Sequence, residues 1–228
     1  MPLRLVKRVL RGIILWAAGL LVAFYALAFG ELIALRWVNP PTTGVQIQRR
    51  IEAWVRGQPY RKRSHFLSLS DIAPGLQHAV VAAEDGRFYE HHGIDWKEVQ
   101  RVIDEDVEAG RVGRGASTIT QQLVKNLFLT THRSFLRKAV EFTLAPAAER
   151  ILSKRRILEL YLNVIEWGPG IFGAQAAAEH YYHAPASELS RDQAVRLAAI
   201  IPAPLKRKPE RMNEYSAVIL ERMAQMGW

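Results

Sequence analysis

The 228-residue sequence contains no cysteine. This absence excludes a disulfide scaffold, a thiolate metal site and a cysteine nucleophile. It leaves the compartment open, because periplasmic domains need not carry disulfides.

Several common catalytic motifs are also missing. The sequence has no Ser-x-x-Lys, Lys-Thr-Gly, Gly-x-Ser-x-Gly, His-Glu-x-x-His or Walker Gly-x-x-x-x-Gly-Lys. Penicillin-sensitive acyl transfer, zinc-protease chemistry and nucleotide hydrolysis therefore have no support. Repeats of 20 to 50 residues and low-complexity tracts are absent after Gly44, which disfavours solenoids and arrays.

The composition is that of a globular chain with a basic excess. Hydrophobic residues make up 49% and charged residues 23%, and 31 Lys and Arg face 22 Asp and Glu. This balance suits a polyanionic partner. Nucleic acid, an anionic membrane surface and a phosphorylated substrate all meet that requirement, so charge alone does not choose among them.

A hydrophobic run near the N-terminus predicts a membrane anchor. Residues 12 to 30 carry no charge, and as a helix they reach about 28 Å, close to the thickness of the hydrocarbon core. A cleaved signal peptide is the alternative, since Ala26-Leu27-Ala28 has the small-x-small form, but the run exceeds the usual h-region. Four basic residues precede it, which places the N-terminus in the cytoplasm. We expect a cytoplasmic segment 1–11, a transmembrane helix 12–35, a linker 36–44 and a periplasmic domain 45–228.

The rest of the sequence predicts a mainly α fold. Apolar residues recur at helical spacing in segments that end at Gly, Pro, Asn or Ser. Only residues 61 to 70 show a weak alternation, which suggests a short hairpin. The predicted helices cover residues 47–55, 76–84, 118–128, 134–152, 154–162, 171–182, 190–200 and 215–226.

Two carboxylates follow the apolar segment that ends at Ala83. Glu84 and Asp85 stand at a predicted helix end, where partial burial raises the proton affinity of a carboxylate and suits it to general base catalysis. The alternative is a solvated or helix-capping pair.

Polar and basic residues follow in two further blocks. Residues 113 to 122 could bind substrate hydroxyls and amides, or could form a loop with Ser117 or Thr118 as a helix cap. A helix capped by Ser134 would stack Arg137 and Glu141 one turn apart. Lys125 and Arg133 could then converge on them from the preceding segment and form a site for a diphosphate. An ordinary surface pair of Arg137 with Glu141 is the alternative.

Taken in order, these residues resemble the motif series of the family 51 peptidoglycan glycosyltransferases. The series comprises Glu84-Asp85-x-x-Phe88-x-x-His91-x-Gly93, Gly115-Ala116-Ser117-Thr118-Ile119-Thr120-Gln121-Gln122, Arg137-Lys138-x-x-Glu141, Lys154-x-x-Ile157-Leu158-x-x-Tyr161-Leu162-Asn163 and a block from Trp167 to Tyr182 that resembles the monofunctional, membrane-anchored members. Five motifs in one order over about half the chain are far more specific than any one of them. Ala116, where Gly is common, and Tyr182-His183, in place of Phe-Gly, depart from the pattern.

The resemblance implies a lysozyme-like helical domain at the inner membrane that polymerises lipid II into a growing glycan strand. Glu84 would be the general base, Lys125 and Arg133 would hold the diphosphate, and Glu141 would assist the leaving group or orient a divalent cation, Mg²⁺ or Mn²⁺, bound with the substrate. A helix with Ile157, Leu158, Tyr161 and Leu162 is expected to pack, so Lys154, Tyr161 and Asn163 are expected to be structural. The residues expected to bind substrate or support the cleft are Asp85, Ser117, Thr120, Gln121, Arg137 and Lys138.

Two other functions stay open at the level of sequence. A glycan-cleaving lytic transglycosylase or hydrolase also uses a catalytic Glu, but its reaction involves no diphosphate for the basic residues to bind. A membrane-tethered nucleic-acid-binding module would need aromatic residues interleaved with Lys and Arg, and the expected placement outside the cytoplasm opposes it. We therefore expect no nucleic-acid partner; the sequence leaves open whether other cell-wall synthesis proteins bind.

Overall fold

The computed structural model describes residues 2–108, 110 and 115–228, and side chains from residue 6 onward. Gly113 and Arg114 of the predicted polar block lie outside these residues. The chain divides into two units, residues 1–38 and 39–228. In the described part, the helices are α1 Pro2–Ala34, α2 Gly44–Val55, α3 Pro74–Glu84, α4 Trp96–Glu108, α5 Ile119–Phe128, α6 Phe135–Ile151, α7 Lys154–Val164, α8 Ala174–Tyr182, α9 Arg191–Ile200 and α10 Asn213–Gln225, and the strands are β1 Arg63–Ser64, β2 Glu166–Gly168 and β3 Ile171–Phe172.

The first unit consists mainly of the helix α1. Its segment Val6–Ala34 contains an 18-residue window with a mean hydropathy of 2.2 and is long and apolar enough to cross a membrane. The helix begins upstream of the expected start at residue 12 and ends one residue before the expected end at residue 35. The basic residues 7, 8 and 11 are therefore part of the same continuous helix as the apolar run.

The second unit is built around two groups of packed helices. The helix α5 packs against α2, α6 and α7, while α3 packs against α9 and α10. Leu123 and Val124 of α5 and Leu76 and Val80 of α3 are buried in these contacts. Burial of apolar side chains supplies the main stabilisation of such a domain. The helical fold expected from the sequence is confirmed.

A small three-stranded sheet replaces the hairpin expected at residues 61 to 70. The strand β1 pairs in parallel with β3, with Arg63 opposite Ile171, and β2 pairs antiparallel to β3. The backbone just beyond β1 is held by one side chain: Asn163 accepts from Leu67 N at 2.7 Å and donates to Leu67 O at 2.9 Å. The predicted hairpin was wrong because residues 61 to 70 pair with residues about 100 positions away in the sequence.

The helix predicted to begin at residue 171 begins at Ala174 instead. Ile171 and Phe172 form β3, and Gly173 follows with φ of 84°. A side chain at Gly173 would place its Cβ 2.7 Å from the carbonyl oxygen of Asn163. Glycine is thus required where the strand turns into α8, both for its positive φ and for this close approach.

Two further helices differ from the pattern expectation. The helix α4 was not predicted; its one buried residue is Val102, and Ile103 and Val107 are exposed. In α2 the apolar residues that predicted the helix face outward, with Trp54 80% exposed, while Gln46 and Gln48 are buried. The inner face of α2 is therefore partly polar, which reverses the usual amphipathic arrangement.

Candidate active site

A cleft of about 1020 Å³ lies within the second unit. Its walls come from the end of α3, from α5 and the first half of α6, from the turn after α9 and from α10, and from a few residues of α2, α4 and β2. The volume is at the upper end for small-molecule sites, so an extended substrate can enter. Charged side chains from these separate elements meet around one space.

Glu84 is the last residue of α3 and lines this cleft half-buried. Its Oε2 accepts a hydrogen bond from Gln122 Nε2 at 2.6 Å. Burial raises the pKa of Glu84, and the bond from Gln122 and the charges of Lys125 and Arg207 counteract that rise in part. A carboxylate of raised pKa that faces open space is suited to accept a proton.

The other carboxylates that line the cleft are already paired within the described part of the chain, whereas Glu84 forms no ion pair there. Their partners are His91 for Asp85, Arg87 for Asp95, Arg101 for Glu98, Arg137 and Lys138 for Glu141, and Arg49 for Glu166. A neighbouring cation favours the ionised form of a carboxylate, as at Asp95, whose pKa Arg87 lowers in spite of burial. At Glu166, however, burial raises the pKa in spite of Arg49. The structure thus singles out Glu84.

Asp85 has a structural role in this arrangement. Its oxygens lie 2.9 and 3.0 Å from His91 Nε2, and Oδ2 also accepts from Ile119 N at 2.9 Å. Ile119 is the first residue of α5, where a carboxylate satisfies an unpaired backbone N–H and interacts favourably with the helix dipole. Asp85 lines the cleft, but its carboxylate joins α3 to the start of α5.

Two expected diphosphate ligands, Lys125 and Arg133, line the cleft together with Arg137. Lys125 lies on α5, and burial lowers its pKa while Glu141 and Glu84 favour its charged form. Arg133 lies exposed in the segment before α6. Neither Lys125 nor Arg133 forms an ion pair with a carboxylate of the described residues, so both cations can bind an anionic ligand.

Glu141 sits at the centre of a charged cluster on α6. Its Oε1 lies 3.3 Å from Arg137 Nε, and its Oε2 accepts from Lys138 Nζ at 3.0 Å. Lys138 also donates to Ser117 Oγ at 2.9 Å. The expected cap Ser134 accepts from Arg137 N, which confirms the predicted start and stacking of this helix.

Thr120 and Gln121 do not line the cleft. Both side chains are fully buried, and Thr120 Oγ1 donates to Glu149 Oε1 at 2.5 Å. Gln121 completes a capping box with Thr118, in which Thr118 N donates to Gln121 Oε1 at 3.1 Å. Gln121 therefore stabilises the start of α5, and Thr120 links α5 to α6. Of the two roles expected for these residues, these contacts correspond to support of the cleft.

The sequence prediction missed Gln122, the residue that contacts Glu84. Gln122 and Lys125 are three residues apart on α5 and so share one face, whereas Gln121 points elsewhere. This spacing from Lys125 could have identified Gln122 as a cleft residue from the sequence alone. The ion pair of Arg49 with Glu166, at 2.8 Å on the cleft wall, was also missed, because 117 residues separate its members.

The described residues do not form a protein-held metal site. No group of three or more His, Asp or Glu side chains among them could hold an ion. Glu141, the carboxylate that the family resemblance connects with a divalent cation, already contacts Arg137 and Lys138.

Comparison with known proteins finds related sequences over most of the chain. The sequence profile of the family described as transglycosylase matches residues 49–224. The chain is 43% identical over 211 residues to the biosynthetic peptidoglycan transglycosylase of Pseudomonas aeruginosa, covering 91% of this chain and 90% of that one. It is 40% identical over 227 residues to the same enzyme of Pseudomonas entomophila, covering 98% and 92%, and 44% identical over 222 residues to that of Rhizobium leguminosarum, covering 96% and 91%.

The chain therefore belongs to the transglycosylase family. Its matched region contains Glu84, Lys125 and Glu141 and every other cleft-lining residue except Gln225 and Met226. The prediction of a peptidoglycan glycosyltransferase made from the sequence motifs is confirmed.

Burial of Glu84 gives a testable stability effect. A carboxyl group whose pKa is raised on folding stabilises the protein below its unfolded pKa, and this stabilisation is lost as the pH rises through the folded pKa. We expect Glu84→Gln to raise the free energy of unfolding at pH 7, by about 1.4 kcal/mol for each unit by which burial raises the pKa of Glu84, and to have little effect near pH 4. The thermal midpoint at pH 7 should rise accordingly.

Thermal unfolding of the detergent-solubilised chain at the two pH values measures this effect. The control is Glu188→Gln, since Glu188 is exposed. A Glu84→Gln chain less stable than the parent at pH 7 would show that the contacts with Gln122 and Lys125 outweigh the burial of the charge.

Proposed function

We propose that the chain polymerises lipid II, with Glu84 as the general base and Lys125 and Arg133 as ligands of the diphosphate leaving group. The observation that carries the assignment is the charge pairing in the cleft. Within the described residues, Glu84 is the cleft carboxylate that no Lys, Arg or His side chain contacts within ion-pair distance, and Lys125 and Arg133 are cleft cations that no carboxylate contacts within that distance.

In this reaction Glu84 accepts the proton of the 4-hydroxyl of the acceptor sugar. The hydroxyl oxygen attacks C1 of the donor sugar, and the bond from C1 to the diphosphate oxygen breaks with inversion. Gln122 occupies Oε2 of Glu84, so Oε1 is the oxygen available for the proton. The leaving diphosphate takes the bonding electron pair, and the guanidinium and ammonium groups stabilise its charge.

Kinetics of three variants test these roles. Glu84→Gln keeps the shape of the side chain but cannot accept the proton, so turnover should collapse while binding of lipid II stays nearly unchanged. Lys125→Ala and Arg133→Ala each remove a charged contact with the diphosphate, so binding and turnover should both weaken, by roughly 1.5 to 3 kcal/mol.

Polymer formed from purified lipid II and the affinity for a donor-site inhibitor such as moenomycin are measured on each variant. Glu141→Gln is compared with Glu84→Gln, since a direct chemical role would make the two alike. Polymerisation by Glu84→Gln at near the parent rate would remove Glu84 as the base.

We infer that the anchor lies in the inner membrane with its N-terminus in the cytoplasm and the catalytic domain in the periplasm. Arg4, Lys7, Arg8 and Arg11 precede the apolar run, and such residues stay cytoplasmic; the side chain of Arg4 lies outside the described part. The exposed apolar face of α2, with Trp54 and Val55 80% and 71% exposed, supports a position against the outer surface of that membrane, where a lipid-borne substrate is met.

A fusion of alkaline phosphatase to the C-terminus tests the orientation. The phosphatase is expected to be active, because it folds outside the cytoplasm. A green fluorescent protein fused at the same position should not fluoresce in that orientation. The reverse pattern would contradict both the topology and the access to the substrate.

We also propose that polymerisation needs a divalent cation, Mg²⁺ or Mn²⁺, which arrives with the diphosphate. The lack of a three-ligand cluster among the described residues supports binding through the substrate. Excess chelator should abolish polymerisation, and added Mg²⁺ should restore it. Calorimetric titration of the chain without lipid II should show no binding of Mg²⁺ at millimolar concentration. Full activity in chelator would show that the basic side chains suffice.

A further inference from the structure

A buried tyrosine lies directly behind the contact between Gln122 and Glu84. Tyr161 is on α7, its side chain is fully buried, and its hydroxyl donates to Gln122 Oε1 at 2.9 Å. Gln122 Nε2 in turn donates to Glu84 Oε2 at 2.6 Å. Three side chains from three helices, α7, α5 and α3, thus form one hydrogen-bonded chain that ends at Glu84.

The chemistry of the three groups fixes the direction of this chain. An ionised carboxylate only accepts, so the amide of Gln122 must turn its NH₂ toward Glu84. The carbonyl oxygen of the amide then points the other way and needs a donor, which the single proton of Tyr161 provides. Without that donor the carbonyl oxygen would lose its partner, and the amide would be held in place only by its bond to Glu84.

We propose that Tyr161 is a positioning residue for the reaction, holding the amide of Gln122 so that its NH₂ stays on Oε2 of Glu84 and Oε1 stays open to the acceptor hydroxyl. This inference rests on the proposed role of Glu84 as the base. It changes the sequence expectation for Tyr161, in which the residue only packs.

The charged surroundings of Glu84 are consistent with this role. The groups that act on it are Gln122 and Lys125 from α5, Arg207 from the segment after α9 and Asp85 as the next residue. Burial holds the pKa of Tyr161 well above its ordinary value, so its hydroxyl stays protonated across the working pH range. Tyr161 therefore acts as a fixed donor and does not shuttle protons.

The test is Tyr161→Phe in the full-length chain, assayed with lipid II over a range of pH. We expect kcat to fall roughly 3- to 10-fold, the change that the loss of one hydrogen bond produces, with KM nearly unchanged. The acid limb of the kcat profile should move to higher pH, because a weaker bond from Gln122 leaves the charged form of Glu84 less stabilised.

Tyr181→Phe is the matched control. Tyr181 also donates one hydrogen bond from its hydroxyl, to the carbonyl oxygen of Trp167 at 2.9 Å, and it does not line the cleft. It should lose some thermal stability while kcat and the pH profile stay those of the parent. An acid limb that moves equally in both phenylalanine variants would mean that the shift reflects general loosening of the fold, which would overturn the proposal.

Gln122→Ala and the double variant with Tyr161→Phe complete the experiment. If Tyr161 acts through Gln122, the double variant should be no slower than Gln122→Ala alone. Multiplied effects would overturn the proposal. If Tyr161→Phe fails to fold, Gln122→Ala still tests the proposal. An acid limb that does not move in Gln122→Ala would contradict the role of Gln122 and therefore that of Tyr161. An active Glu84→Gln contradicts the proposed function itself, whereas an inactive Glu84→Gln with an unmoved limb in Tyr161→Phe contradicts only the role of Tyr161.

Discussion

The active site depends on how the first turn of α5 is held. Asp85 accepts from Ile119 N at 2.9 Å, and the hydroxyl of Thr118 donates to Gly93 O at 2.6 Å while accepting from Gln121 N. These bonds satisfy donors that any helix start leaves open, and they join that start to the end of α3. The result places Gln122, one turn into α5, against Glu84.

The charged side chains of the cleft fall into two groups, those in ion pairs and those without an ion-pair partner in the described part of the chain. Most of its carboxylates are neutralised by a neighbouring cation, which stabilises the wall without leaving a reactive group. Glu84 and Lys125 are held near each other in partial burial, which raises the pKa of the first and lowers that of the second. Burial of charge costs free energy, so the site is maintained by the surrounding core.

The sequence predicted most of the helices, the family and several cleft residues, among them Glu84, Lys125 and Glu141, because those depend on local spacing and on motif order. It failed where a distant partner decided the outcome. The strand β1 pairs with β3, and Arg49 pairs with Glu166, across more than 100 residues in each case. Thr120 and Gln121 were expected at the substrate or in support of the cleft because they belong to a polar block. On a helix, however, residues next to each other in sequence face different directions. Gln121 therefore caps α5, whereas Gln122, one residue later, lies in the cleft.

The position of both functional groups on α5 has a further consequence for the reaction. Gln122 and Lys125 are three residues apart, so they lie about 4.5 Å apart along the axis of one helix. Gln122 sets the orientation of the base, and Lys125 faces the leaving group in the proposed reaction. A rigid helix therefore fixes the separation between the attacking and departing sides of the reacting carbon. Because α5 packs against α2, α6 and α7, its displacement would disturb both sides together, and alignment of the reactants follows from the packing of this one helix.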